Sequence, residues 1–186
     1  MGGCSFNSDG SINSCIPNSC VLQDDGNYSC MDSQYDMIFY TFLGWGGVSL
    51  GLTLANMGTA YGTAKSGMGI ASMSVTRPHL AFKALVPIIM AGILSIYGLI
   101  ISVLLSQRVK VEETYTKNLA FSQFGAGLAC GISCIASGYA IGIVGESAVK
   151  FYGINEDIFV AIVLILIFAE VIGLYGMIVA IIMSLG

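Results

Sequence analysis

The sequence predicts an all-α membrane protein with four transmembrane helices, arranged as two tandem helical hairpins. The composition is 55% hydrophobic and only 10% charged over 186 residues, and the mean hydropathy is +0.82. A soluble domain of this size does not carry so much apolar surface, so the chain requires a lipid bilayer. Four apolar runs and a similarity between the two halves of the chain complete the prediction. The formal net charge of -4 argues against nucleic acid as a partner.

Two of the predicted spans, about residues 37–72 and 119–149, are rich in small residues. Glycines recur at helical steps of three and four, and so form one face on each helix. Small residues let helix backbones approach closely in lipid, so we predict that these helices face inward and that their glycines pack the helices of a ring. The glycines concerned are Gly47, Gly51, Gly58 and Gly62 in the first span and Gly127, Gly131, Gly138 and Gly142 in the third.

The other two spans, about residues 80–105 and 158–183, are bulky and strongly apolar. Arg77-Pro78 predicts the turn before the second span, and Pro87 is expected to kink that span. The predicted organisation is therefore a polar extension over residues 1–36, a first hairpin over 37–110 and a second over 115–186. Each hairpin joins a glycine-rich helix to a bulky one.

Glu170 is the one charged residue inside the fourth span. An ionised side chain at the centre of a bilayer costs at least about 2.5–3.5 kcal/mol, so the low dielectric favours the neutral acid. We expect no lysine, arginine or histidine within the spans to pair with it. These properties predict a proton carrier that ionises only where an external partner supplies positive charge. The alternative is a glutamic acid buried for structural reasons.

Residues 78 positions apart match between the two halves. Ala91, Tyr97 and Gly98 in the second span correspond to Ala169, Tyr175 and Gly176 in the fourth. Within this matching stretch, Gly92 stands where Glu170 stands in the second hairpin. The glycine helices require close neighbours and the bulky helices suit lipid, so many hairpins in a ring with cyclic symmetry satisfy both.

The N-terminal extension has five aspartates and no lysine or arginine. This charge bias favours the lumenal side, where the sequon at Asn27 is a glycosylation acceptor. Its four cysteines, Cys4, Cys15, Cys20 and Cys30, allow three pairings as two disulfides. A reduced tail on the cytosolic side is the alternative.

Several segments of the sequence resemble the proteolipid family of vacuolar-type proton ATPases, in its c or c′ form. The most specific is ILIFAEVIGLYG, residues 165–176, which is similar to the acid-bearing fourth helix of that family. The others are YGTAKSG at 61–67, Arg77-Pro78, PIIMAG at 87–92, GAG at 125–127 and AIGIVG at 140–145. The resemblance covers about residues 40–184, and the four-cysteine extension departs from it.

The resemblance implies a rotor ring of several proteolipid copies in the membrane sector of a rotary ATPase. It implies that Glu170 exchanges protons with half-channels in the stator, the a-subunit, and that Tyr97 hydrogen-bonds the acid. The d-subunit and the central stalk would meet the loops near Arg77 and Lys150, with both termini lumenal in the vacuolar or endomembrane system. The transported ion is H⁺ and no cofactor or metal is expected. ATP would be hydrolysed in a separate sector, so the chain is not an enzyme on its own.

Two other function classes are compatible with a small four-span protein. A structural or pore-forming bundle would use the glycines for packing and Glu170 as an internal hydrogen-bonding group. Such a bundle is expected to pair the acid within the chain. A small secondary transporter would more often have inverted repeats, with a site formed by both halves.

Overall fold

The computed structural model describes residues 5–6, 12–14, 20–22, 28–111 and 117–185, with side chains over 38–109 and 118–185. The chain divides into two compact units, Met1–Phe39 and Tyr40–Gly186. The four helices are α1 (Met31–Thr76), α2 (Val86–Val111), α3 (Lys117–Tyr152) and α4 (Phe159–Leu185). The predicted architecture of four helices in two tandem hairpins is confirmed.

The described residues of the first unit include four short strands that were not predicted from the sequence. Strand β1 (Ser5–Phe6) pairs antiparallel with β2 (Ile12–Ser14), and β3 (Cys20–Leu22) pairs antiparallel with β4 (Tyr28–Cys30). The helix α1 then begins at Met31, within the residues predicted to form the polar extension. The cysteines Cys4 and Cys15 and the sequon residue Asn27 lie outside the described residues, so disulfide pairing and glycosylation stay predictions.

All four helices are long and apolar enough to cross a membrane. The candidate spans are Ile38–Thr76, Lys83–Val109, Asn118–Tyr152 and Glu156–Leu185, and each exceeds the roughly 20 residues that a bilayer requires. The two glycine-rich helices are the longer ones, with 46 residues in α1 and 36 in α3, against 26 in α2 and 27 in α4.

The connections between helices follow local backbone chemistry. The residue before a proline is disfavoured in the helical region, and Arg77 accordingly has φ -139° and ψ 80° and ends α1. Pro87 is the second residue of α2, where proline is tolerated because that N–H has no helical partner. It does not lie in the helix interior, where it was expected to cause a kink. Before α4, the Asn155 side chain caps a short 3-10 turn by accepting a 3.1 Å hydrogen bond from the Asp157 amide.

The tandem repeat of the sequence is also a repeat of contacts. In the first hairpin, Gly98 on α2 lies against Ala55 and the backbone of Gly51 on α1. In the second hairpin, Gly176 on α4 lies against Ser133 and the Ala129 carbonyl on α3. Each residue of the second set stands 78 positions after its counterpart, so the two hairpins pack internally in the same way.

The two hairpins meet through the glycine faces of α1 and α3. A methyl group placed on Gly51 would lie 3.3 Å from the Cα of Gly127, and one on Gly62 would lie 3.0 Å from the Gly138 carbonyl oxygen. Backbone therefore faces backbone with no room for side chains between them. The apolar core lies beside this contact, in two clusters that also take in α2 and α4. Cys130 and Cys134 are buried free thiols within the second cluster.

Candidate proton-carrier site

The Glu170 carboxyl lies where α4 passes α2. Glu170 is half-buried, and the Tyr97 hydroxyl on α2 donates a 3.1 Å hydrogen bond to its Oε1. The residues around the acid on α4 are bulky and apolar, and Leu166 and Ala169 are buried against the rest of the bundle. The structure therefore brings together the acid and the tyrosine that sequence reasoning placed in different hairpins.

Tyr97 reaches the acid because the two bulky helices are neighbours and the helical repeat aims its ring towards α4. Leu94, one turn earlier, is fully buried and lies against Gly173, one turn after the acid. A methyl group on Gly173 would lie 2.7 Å from Leu94 Cδ2. This close fit holds α2 and α4 together at the depth of the carboxyl.

Gly92 occupies the position in the first hairpin that corresponds to Glu170. A methyl group placed on Gly92 would meet nothing within 4 Å. The glycine is therefore not required for a close contact with any residue that the structure describes. Its position in the repeat marks where the second acid is absent.

The neutral hydroxyl of Tyr97 is the hydrogen-bond partner of the carboxyl, and the ammonium group of Lys65 is engaged by another acid. Lys65 lies within the candidate span of α1, and its Nζ is 3.5 Å from Glu146 Oε2. Lys150 bonds the other oxygen of Glu146 at 2.9 Å. Over residues 38–109 and 118–185, the ion pairs found both involve Glu146 and neither involves Glu170.

Sequence reasoning missed Lys65 as a cation within a candidate span. The signal was available, because a lysine within a membrane span is costly unless it pairs with an acid or a backbone carbonyl or reaches the membrane surface. Only the packing of α1 on α3 shows that this partner is Glu146. Across the described part of the chain, no group of three His, Cys, Asp or Glu residues could hold a metal ion.

A second hydroxyl group forms a hydrogen bond with the backbone of α4, the helix that carries Glu170. The Ser137 side chain on α3 is fully buried, and its Oγ donates a 2.7 Å hydrogen bond to the carbonyl oxygen of Ala169. Ala169 directly precedes the acid. Sequence reasoning did not identify Ser137, because a serine within a small-residue helix face does not stand out from its neighbours.

The predicted glycine positions all lie at helix contacts. In α1, Gly47, Gly51, Gly58 and Gly62 lie against the backbone of α3, and Gly127, Gly138 and Gly142 make the return contacts with α1. Gly131 lies against the side chain of Leu54. These contacts join the two hairpins of one chain.

A second stripe of small residues on α1 is exposed. Five α3 residues that contact α1 each have a counterpart on α1 that stands 78 positions earlier. These counterparts form the stripe, and they are Ser49, Thr53, Asn56, Ala60 and Ala64. Each of these side chains is exposed in the single chain. The equivalent stripe on α3 is covered by α1. The stripe on α1 has no such covering helix among the described residues.

Comparison with known proteins places these features in a family. The family model described as the C subunit of ATP synthase matches residues 46–105 and 124–183, one match for each hairpin. The chain belongs to this family. It is 49% identical over 146 residues to the 16 kDa proteolipid, or c-subunit, of the V-type proton ATPase of Rattus norvegicus, covering 78% of this chain and 93% of the rat protein.

Relatives of the c′ type also match over most of the chain. The chain is 46% identical over 153 residues to the c′-subunit of the V-type proton ATPase of Candida glabrata, covering 82% of this chain and 93% of that protein. It is also 46% identical over 150 residues to the c′-subunit of Saccharomyces cerevisiae, covering 81% and 92%. The predicted resemblance to the c and c′ proteolipids is confirmed.

Proposed function

We propose that the chain is a proton-translocating rotor component in the membrane sector of a V-type ATPase, with Glu170 as the proton carrier. The observation that carries the proposal is a half-buried carboxyl on an apolar helix whose hydrogen-bond partner is a neutral tyrosine hydroxyl. Without a cation beside it, this group is stable in lipid only when protonated. It therefore carries hydrogen rather than charge through the bilayer.

Release of the proton requires an external partner. The Tyr97 hydroxyl can donate to either protonation state of the carboxyl, but one neutral donor does not offset the cost of a carboxylate in lipid. The positive charge must come from a stationary neighbour with access to water. The family resemblance names this neighbour as the a-subunit, with its half-channels and arginine, and we propose that Glu170 meets it once in each turn.

Several copies of the chain form the rotor in this proposal. The exposed stripe of Ser49, Thr53, Asn56, Ala60 and Ala64 repeats the α3 surface that α1 covers within the chain. In the ring, α3 of a neighbouring copy can cover this stripe. The α3 residues that would do so stand 78 positions after the glycines of the α1 face. These are Gly125, Ala129, Ala136 and Ala140, and they are as small as the packing requires. Repeated application of the same contact closes a ring.

One acid for two hairpins favours a pump driven by ATP hydrolysis in a separate peripheral sector. Fewer carriers per turn move fewer protons, so the same torque drives each proton against a steeper gradient. The acidic extension, which lacks lysine and arginine, supports lumenal termini in an endomembrane compartment. The d-subunit and the central stalk then meet the opposite, cytosolic side of the ring.

The decisive experiment removes the titratable group and keeps its shape. In membranes that carry the whole ATPase, we expect Glu170→Gln to abolish ATP-driven acidification while the protein still assembles. Glu156→Gln, which alters an exposed acid between α3 and α4, is the matched control and should pump normally. A hydrophobic carbodiimide should label the wild type and the control and leave Glu170→Gln unlabelled. Acidification by the Glu170→Gln protein would refute the carrier role.

A further inference from the structure

We propose that Ser137 is a positioning residue for the proton carrier, an inference that rests on the proposed role of Glu170. Its hydroxyl ties the backbone of α4 to α3 immediately before the acid. The tether keeps the carboxyl turned towards Tyr97. Ser137 touches neither the carboxyl nor the transported proton.

The contact is short, buried and between helices. Ser137 Oγ donates to the Ala169 carbonyl oxygen at 2.7 Å, and Ser137 has no solvent exposure. In a helix this carbonyl already accepts a bond from the residue four positions later, so the hydroxyl adds a second donor. That later residue is Gly173, and a methyl group there would lie 3.5 Å from Ser137 Oγ. Ser137 therefore contacts α4 over two successive turns.

The internal repeat shows that this bond differs between the two hairpins. The counterparts of Ser137 and Ala169 in the first hairpin are Thr59 and Ala91, again 78 positions earlier. The Thr59 hydroxyl donates to the Ala55 carbonyl of its own helix at 3.1 Å. The hairpin that carries the acid thus has a hydroxyl bonded across to the neighbouring helix, and the acid-free hairpin turns the equivalent hydroxyl back on its own helix.

Two bonds then hold the carrier from two sides. Tyr97 on α2 bonds the carboxyl at 3.1 Å, and Ser137 on α3 bonds the backbone one residue before it. The carboxyl lies farther from the axis of α4 than the backbone does, so a small rotation of α4 moves the carboxyl by more than it moves the backbone. Fixing the Ala169 carbonyl limits this rotation and preorganises the pair of Tyr97 and Glu170.

The test compares Ser137→Ala with Thr59→Val, which removes the equivalent hydroxyl of the acid-free hairpin and keeps the shape of the side chain. Both are made in the complete ATPase, with and without Tyr97→Phe, and ATP-driven acidification is measured per assembled complex. We expect Ser137→Ala to slow acidification by about threefold to tenfold, in the range of one lost hydrogen bond. Thr59→Val should match the wild type.

The double variant distinguishes positioning from simple structural support. If Ser137 acts through the pair of Tyr97 and Glu170, then adding Tyr97→Phe to Ser137→Ala should slow acidification little further, because their effects are coupled. Effects that multiply would overturn the proposal, as would wild-type acidification by Ser137→Ala. Should Ser137→Ala fail to assemble, Ser137→Cys keeps a side chain of similar size and undergoes the same comparison.

The carrier role of Glu170 and the positioning role of Ser137 can be refuted by different results. If the Glu170→Gln protein still acidifies the same membranes, the carrier role of Glu170 is refuted, and so is the positioning role of Ser137. Loss of acidification in Glu170→Gln, together with normal acidification in Ser137→Ala, leaves the carrier role intact and removes only the positioning role.

Discussion

The hydroxyl of Tyr97 and the carboxyl of Glu170 are joined by a 3.1 Å hydrogen bond between the two bulky helices. The residues are 73 positions apart in sequence and belong to different hairpins. The acid of the second hairpin is thus supported by a side chain of the acid-free hairpin. This relationship gives the two halves of the repeat unequal roles in one site.

Removal of the tyrosine hydroxyl should slow proton transport without stopping it. We expect Tyr97→Phe to reduce ATP-driven acidification about twofold to tenfold, since one hydrogen bond contributes about 1 kcal/mol. Tyr175→Phe is the matched control, because Tyr175 holds the equivalent position in the second hairpin and is 62% exposed. A larger loss in Tyr175→Phe than in Tyr97→Phe would contradict the assignment of Tyr97.

Larger side chains in the exposed small-residue stripe on α1 should hinder the assembly of copies into a ring. Ala60→Leu adds bulk to a side chain that is exposed in the single chain, so the chain should fold and insert, yet ring assembly should be strongly reduced. Ala161→Leu makes the same change at an exposed position of α4, and assembly should be normal. Native gel electrophoresis of detergent-solubilised membranes measures both. Normal rings from Ala60→Leu would show that this stripe is not the contact between copies.

Two glycines should respond in opposite ways to an added methyl group. A methyl on Gly138 collides with the backbone of Gly58, whereas one on Gly92 meets nothing within 4 Å. Overpacking a close contact costs about 1–3 kcal/mol, so Gly138→Ala should lower the thermal stability of the purified protein. Gly92→Ala should leave stability and acidification unchanged, and a loss of either would mean that Gly92 has a neighbour outside the single chain.

The ion pairs at Glu146 should contribute to structure and not to transport. Glu146→Gln removes the negative charge that pairs with both Lys65 and Lys150. We expect a slightly lower melting temperature, with a smaller difference from wild type at high salt because partly exposed charges are screened. Acidification per assembled complex should be unchanged. Loss of acidification without loss of assembly would instead assign these charges a place on the proton path.

Much of the fold could be predicted from the chain because its signals are local and repeated. Apolar runs longer than about 20 residues predict spans, and the 78-residue offset predicts two hairpins of one kind. The ends of the helices were less predictable. Polar residues from Met31 onwards are helical, and Pro87 lies in the first turn of α2 rather than at a kink. The short strands before α1 have little hydrophobic patterning to reveal them.

The residues of the candidate site also differ in how well the sequence predicts them. An acid in an apolar helix is visible in the sequence, because it interrupts the apolar run that a span requires. The interaction of Lys65 with Glu146, and of Ser137 with Ala169, depends on which helix faces meet, and several arrangements of four helices are compatible with the same hydrophobic pattern.

The sequence by itself determined the four helices, the tandem repeat and the identity of Glu170 as the acid within a span. Hydrophobicity and residue spacing are properties of the chain, and they do not depend on how the helices are arranged. Only the tertiary structure decided that Ser137 bonds the backbone beside this acid and that Lys65 is engaged by Glu146. It also places the hydroxyl of Tyr97 3.1 Å from Glu170, as the family resemblance implies. Hydrogen bonds and ion pairs act over a few ångströms, so they are settled only when packed backbones bring particular side chains together.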